Sequence, residues 1–392
     1  MADAREIWIT GIGIVSTLGE GLDAHWRGLN EAPPAADATS FAPYIVHRIV
    51  PLELDKQIPK KGDQRQMEPW QRIGTYAAGL ALDSAGLKGK PEFLSRTDMI
   101  VAAGGGERDA QVDLNVAAGA GKAAKPEAFV NERLMNDLRP TLFLAQLSNL
   151  LAGNISIVHG VTGSSRTFMG EESAGVEAVR VAHARIAAGQ SELALVGGAY
   201  NAERWEVQLH FALGRRLARG EPKGAWERRG MELGTIGAFL VLEEKAHALA
   251  RGAKPFARIA AVASDQVRRA PGAVTAALEK MWGKIAPKLD ATHAAVLSGA
   301  SGVAPATEEE RAFLIGHGLA VRATGTHLGH GLEPQFPANI ALAAAALREA
   351  RLYPPRDSSG TEKPMDGTLR QVVVTSIGHW RGEGLALIEA AG

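Results

Sequence analysis

Short apolar runs of strand length alternate with alanine-rich amphipathic stretches along the whole chain. That alternation restricts the fold more than any other feature. Strand candidates are "IWITGIGIV" (residues 7–15), "DMIVAAG" from Asp98, "ELALVGGA" from Glu192 and "GAFLVLEE" from Gly237. Later ones are "FARIAAVAS" from Phe256, "HAAVLSGAS" from His293, "QVVVTSIG" from Gln371 and "GLALIEA" from Gly384. Between them, residues 71–85, 174–188, 273–284 and 338–351 read as helices. Strands and helices in alternation predict an α/β fold. The 45 glycines and only 5% aromatic content predict closely packed layers.

"ALARGAKP" (248–255) reads as a hinge between a longer first half and a shorter second half. Both halves alternate strands and helices, so a duplicated architecture is open, although no sequence repeat supports it. "FAPYIVHRIVPLELDKQIPKKGDQ" and "YPPRDSSGTEKPMDG" read as loops. "ISIVHGVTGSSR" (155–166) reads as strand, turn and strand, leading into a helix that opens at "GEESAG".

Lys plus Arg and Asp plus Glu are both 43, so the global basic footprint of a nucleic-acid binder is missing. No apolar run reaches the roughly 18 residues of a membrane span. The first residues lack the layout of a secretory signal, so a soluble, cytoplasmic protein is expected. The absence of cysteine removes disulfides, thiolate metal sites and cysteine nucleophiles together.

Several local patterns carry possible chemistry. "AAGAGKAAK" (117–125) hints at a phosphate loop, but Val116 and Ala123 stand where that loop needs Gly and Ser or Thr. "HLGHG" places His327 and His330 three apart; a metal site needs more ligands, so a hydrogen-bonding or catalytic role for one of them is the stronger reading. "GRRLARGEPKG" gathers Arg215, Arg216, Arg219 and Lys223, either a solvated loop or a docking patch for an acidic partner. Glu171 and Glu172 open a helix, where negative charge complements the macrodipole. No G-x-S-x-G elbow is present. No metal and no cofactor are expected.

"ITGIGIVSTLGEGLDAHWRGLNE" closely resembles the opening of the β-ketoacyl-acyl-carrier-protein synthases, the KAS II-like condensing enzymes of thiolase fold. The similarity continues in "QRQMEPWQRIGTYAAGLALDSAGL", "NLLAGNISIVHGVTGSS", "RIAAGQSELALVGGAYN", "LGTIGAFLVLEEKAHALARGAKPFARI" and "VVVTSIGHWRGEG". The resemblance implies two related βαβαβαββ halves, residues 1–250 and 251–392, in a five-layer α-β-α-β-α arrangement.

The family's nucleophilic cysteine lies in a T-A-C-x-S-G pattern, and the flanking motifs put that position at Glu172. The family's first active-site histidine falls at Gly299 and its lysine at Gly325. Its second histidine is kept as His330, and a supporting glutamate is kept as Glu310. In the glycine-rich loop that guards the acyl pocket, His379 replaces a phenylalanine, and Arg381 and Glu383 alter the rest. The resemblance therefore implies a degenerate synthase of fatty-acid or related acyl-chain synthesis, similar to chain-length-factor subunits. Its implied partners are acyl carrier protein, docked at Arg215, Arg216, Arg219 and Lys223, and a second subunit in a homodimer or a heterodimer with an active synthase. Dimer contacts are implied at residues 164–169, with residues 139–153 reaching the neighbour's acyl pocket. Two enzymatic alternatives stay open: malonyl decarboxylation by Glu172 and His330, or condensation through a substituted nucleophile such as Ser173.

Overall fold

The computed structural model describes residues 5–107, 109–137, 144 and 146–391. Among the described residues the main sheet has eleven strands, ten of them in one continuous order. The ten are β1 (Ile7–Ser16), β2 (Asp98–Ala102), β3 (Ser165–Phe168), β4 (Leu193–Tyr200) and β5 (Ile236–Glu244), then β6 (Ala257–Asp265), β7 (Ala294–Ser298), β8 (Ala320–Ala323), β9 (Gln371–Ile377) and β10 (Glu383–Glu389). Their spatial order is β3-β2-β4-β5-β1-β6-β10-β9-β7-β8, and the short Gly19–Glu20 strand pairs with β1.

The first five strands and the last five follow the same order. In each set the second strand pairs in parallel with the third and fourth, and the fifth runs antiparallel to the fourth and first. The two sets meet at their first strands, where Trp8 pairs with Arg258 and Ile9 with Ala257.

Strands buried on both faces must present apolar side chains to two different layers. On β9, Val372 and Val374 face the central core, whereas Val373 faces the outer one. On β5, Leu240 and Leu242 face the centre and Phe239 and Val241 the opposite outer layer. The central layer consists of α3 (Glu172–Ala187) and α7 (Gln335–Arg348), and every residue of α7 from Gln335 to Leu347 is buried. Helices α1 (Pro69–Ser84) and α2 (Leu150–His159) cover one outer face. Helices α5 (Ala273–Ile285) and α6 (Ala306–His317) cover the other. A further helix, α4 (Trp205–Leu213), follows β4.

The glycines of "TGIGIV" have a steric cause. A Cβ at Gly13 would stand 2.0 Å from the Ala77 carbonyl, and one at Gly11 2.4 Å from that of Ala81. Helix α1 therefore lies directly on the β1 backbone. A capping box between Glu68 and Gln71 and Pro69 in the first turn fix where α1 begins.

One local expectation is corrected. "ISIVHG" is not a strand; it forms the second half of α2, which Gly160 ends in the left-handed conformation. Leu151, Ala152, Ile155 and His159 are its buried residues, at helical spacing, and the β-branched isoleucines misled the strand reading. The stretch read as the first loop also holds a short helix, Lys61–Gln66.

Candidate functional site

The chain turns sharply between β3 and α3. Gly170 has φ +131°, and Glu171 takes φ 56° and ψ −133°. A non-glycine residue in that region costs on the order of 1–3 kcal/mol and persists only where the surroundings enforce it. The turn delivers Glu172 into the interior, 1% exposed. Two other segments converge on it. His330 follows the short helix Gly325–Leu328, its N–H donating to the Glu232 carbonyl at 2.7 Å. His379 sits in the turn between β9 and β10, closed by the Gly378 N–H on the Gly382 carbonyl at 2.7 Å.

Three donors meet at one carboxylate oxygen. His330 Nε2 lies 2.8 Å from Glu172 Oε1, and the His379 backbone N–H donates to that oxygen at 3.1 Å. His379 Nδ1 lies 3.1 Å from Oε1 and 3.2 Å from Oε2. Burial opposes the charge on Glu172, but His379 and the His330 hydrogen bond outweigh it and hold the carboxyl well below its usual range. Burial likewise opposes a charged His379, yet Glu172 raises its pKa above the usual value. His330 is shifted the other way, because burial dominates over the Glu172 contact. The two imidazoles are thus driven in opposite directions, His379 toward holding its proton and His330 toward losing it.

Glu171 forms an outer ring. Trp380 Nε1 donates to its Oε2, and His379 Nε2 lies 3.8 Å from that same oxygen. Glu171, Glu172 and His379 bring one ligand atom each within 4.8 Å of one another, which is the geometry a cation could use.

The sequence of residues 4–248 matches the family described as "Beta-ketoacyl synthase, N-terminal domain". The chain belongs to the β-ketoacyl synthase family. A 3-oxoacyl-[acyl-carrier-protein] synthase 2 from Vibrio harveyi is 28% identical over 268 residues, spanning 65% of this chain and 61% of that protein. Among solved structures, the ishigamide ketosynthase/chain length factor superposes with a TM-score of 0.78 at 18% identity, covering 99% of this chain and 100% of the other. An acyl-carrier protein of a type II polyketide synthase in complex with its ketosynthase, bound to the hexaketide, gives 0.78 at 16% identity, covering 99% and 100%. These likenesses give this synthase-family chain a thiolase-like α/β fold.

The other positions singled out in the sequence scatter around the Glu172 cluster. Gly299 follows β7, and a Cβ there would stand 3.0 Å from the Thr375 carbonyl and 3.2 Å from Asn339 Nδ2. A Cβ at Gly325 would meet Arg228 Nη2 at 2.9 Å, so a guanidinium occupies the space beside it. Glu310 is fully buried, accepting from Ser298 Oγ at 2.7 Å and Thr375 Oγ1 at 2.5 Å; burial pushes its carboxyl up to about 7 against those two bonds. Arg381 lies 4.0 Å from the Trp380 ring centroid, stacked on it. Glu383 opens β10 rather than lying in the loop; it pairs with Arg269 and accepts the Val267 N–H at 3.1 Å. Ser173 Oγ donates to the Gly170 carbonyl at 2.6 Å, a turn contact with no base in it. Of the two HLGHG histidines, His330 joins the site, whereas His327 is a core residue against Tyr353.

The basic patch divides. Arg215 and Arg216 line an open cavity of about 710 Å³ together with Arg228, Arg229 and Arg311. Arg219 instead lies over Tyr44, and Lys223 lines a separate pocket with His47 and Glu232. Of residues 139–153, positions 139–143 and 145 lie outside the described residues.

Sequence reasoning missed two buried groups. Arg228, 4% exposed, has Nε and Nη2 without partners among the described residues, and nothing in "GAWERRG" marks it out. Glu333 is 3% exposed, and burial pushes its carboxyl up to about 8. It carried a signal, because it is the single Asp, Glu, Lys or Arg between Ala323 and Leu347.

Proposed function

We propose that this chain is a non-condensing subunit in acyl-chain synthesis, pairing with an active β-ketoacyl synthase and shaping acyl-chain length. The hydrogen-bond pattern around Glu172 carries the reading. Condensation needs a nucleophile that forms a thioester and free donors for the developing oxyanion. A carboxylate at the nucleophile position would give a mixed anhydride, which water destroys. Its Oε1 also takes the His330 Nε2 contact and the His379 backbone N–H. A fixed anion of the chain itself fills the donors that a reacting acyl oxygen would use. Gly299 in the first histidine position and Gly325 in the lysine position remove two further groups.

The remaining surfaces support pairing and docking. β3 is an end strand of the sheet, and near it Ile157 is 72% and Met169 62% exposed. An open edge with apolar neighbours suits a second thiolase-like subunit. The cavity holding Arg215 and Arg216 suits an acidic carrier protein, with Arg219 and Lys223, which lie outside that cavity, as further cations of the same segment. No helix among the described residues is long and apolar enough to cross a membrane. The reading places the subunit in the cytoplasm, with halves 1–250 and 251–392.

Co-expression with β-ketoacyl synthases of the same source tests this reading. A 1:1 heterodimer with altered product length is expected. Self-association alone with unchanged products refutes it. Carbon dioxide release from malonyl carrier protein by the pure chain, lost in Glu172→Gln, would favour decarboxylation instead.

A further inference from the structure

Helix α4 turns one face inward and leaves the opposite one bare. Val207, Gln208 and Phe211 are its buried residues. On the other side Trp205, Leu209 and Leu213 follow one another at intervals of four, which lines them up along one face of a helix. They are 58%, 58% and 78% exposed. Single exposed apolar side chains are ordinary, but three in a row form a contiguous patch. The row stands outside the Glu172 site. The cavity of about 340 Å³ beside Glu171 is lined from α4 by Glu206, Val207, His210 and Phe211, and by none of these three.

Cations flank the row at both ends. Arg215 follows Leu213 by two residues and is exposed, its N–H donating to the Ala212 carbonyl at 3.0 Å. At the other end the Trp205 ring packs on Phe41, with centroids 4.9 Å apart. Phe41 shares a turn with Tyr44, and the Arg219 guanidinium lies 5.4 Å from the centre of the Tyr44 ring. Neither arginine is paired with a carboxylate among the described residues. The carboxylates nearest the row are already engaged, Glu206 at 3.4 Å from Arg204 and Glu203 at 2.9 Å from Arg48. The chain as a whole carries no net charge, so this positive field is local.

We propose that α4 is a peripheral membrane-contact element. An anionic lipid surface would take Trp205, Leu209 and Leu213 among its outer acyl carbons, with Arg215 and Arg219 at its phosphates. Helices that lie in the membrane interface carry this layout, apolar and aromatic side chains on one face and arginines beside it. An indole suits the boundary between headgroups and hydrocarbon. An acidic protein drawn by charge alone would leave the apolar row between the two arginines unused. A fluid lipid surface uses both, and it adapts to a convex helix face without a matching shape of its own. The inference goes beyond the pairing reading and does not rest on it.

The test floats the full chain with vesicles, either of phosphatidylcholine alone or of phosphatidylcholine and phosphatidylglycerol in equal parts. Binding to the anionic vesicles is expected to be at least about tenfold tighter, as two arginines at an anionic surface require. Leu209→Ser with Leu213→Ser should weaken that binding by at least about tenfold, because most of the apolar row is lost. Arg215→Gln with Arg219→Gln should abolish the preference for anionic vesicles. All four side chains are exposed, and unfolding temperature confirms that the variants fold. No binding to anionic vesicles, equal binding to both kinds, or variants that bind like the parent would overturn the proposal. Heterodimer formation lost in Leu209→Ser with Leu213→Ser, in a protein whose parent ignores vesicles, would give the face to a protein partner and overturn it too. Co-expression of the parent reads pairing and product length without vesicles, so the two proposals fail separately.

Discussion

Glu172→Gln keeps the shape of the buried side chain and removes its charge, and its cost follows from the donors around it. In the variant His379 stays buried but loses the anion that holds its proton. Removing one partner of a buried pair costs about 3–5 kcal/mol. The amide oxygen can still accept from the His379 N–H and His330 Nε2, recovering about 0.5–1.5 kcal/mol per bond. A net loss of roughly 2 kcal/mol remains. At roughly 2.1 cal/mol/K per residue, a chain of this length unfolds with an entropy of roughly 0.8 kcal/mol/K, so the expected fall is about 2–3 °C. The sign of its pH dependence is fixed. His379 has a folded pKa raised above 6.5, so its contribution is full below that value and is lost as pH rises through the raised one. Glu172 is depressed below 4.5, so its contribution is present above 4.5 and is lost only as pH falls through the lowered value. Calorimetry across pH 5 to 9 should show the widest gap between the two proteins toward the acid side of neutrality, closing as His379 titrates. Imidazole NMR should place the His379 titration lower in the variant. A gap that does not change with pH, or a His379 titration unmoved by the substitution, would refute the ion-pair assignment.

Two further tests address other parts of the molecule. Arg215→Glu with Arg216→Glu should weaken binding of an acidic acyl carrier protein by at least about tenfold at low salt, and by much less at high salt; surface plasmon resonance with unchanged affinity would remove these residues from the docking site. Glu310→Gln should stabilise the protein above neutrality. The native carboxyl titrates near 7 when folded and at 4.5 when unfolded, so its penalty grows from pH 4.5 and levels off above 7. The penalty is up to about 3 kcal/mol. A variant that melts lower than the parent at pH 8 would contradict this.

The strands were legible because they are buried on both faces. Continuous apolar runs such as "QVVVTSI" have few other uses, and the alternation with helices fixed the fold class. The α2 segment was not legible, because "ISIV" has strand-like composition and its helical period emerges only with Leu151 and His159 included. At the site, flanking motifs pointed to Glu172 and His330, which the fold brings within 2.8 Å of each other. They said nothing of partnership. That His379 contributes both its N–H and its imidazole to Glu172 depends on bringing residues 207 apart into contact. Arg228 filling the space beside Gly325 is likewise a tertiary fact, since the two lie 97 residues apart. Glu333 could have been found, because one carboxyl in an otherwise uncharged buried stretch demands an explanation.

Glu172→Cys measures how far this site stands from condensing chemistry. A thiol at that position would begin α3 beside His379 and His330, and a helix N-terminus with a neighbouring imidazolium lowers a thiol pKa. Removing the carboxylate also releases the His379 N–H and His330 Nε2 to receive an acyl oxygen. Transfer of an acyl group from a thioester to the new thiol is therefore expected, and intact-protein mass spectrometry would record it. Condensation requires more. The Gly299 position offers no imidazole, and a Cβ there would stand 3.0 Å from the Thr375 carbonyl and 3.2 Å from Asn339 Nδ2, so restoring a side chain requires those neighbours to give way. The variant should load an acyl group and form no β-ketoacyl product. If it condenses, Gly299 does not block the reaction. If it never loads, Glu172 is not what keeps the oxyanion donors occupied, and the central observation behind the non-condensing reading fails.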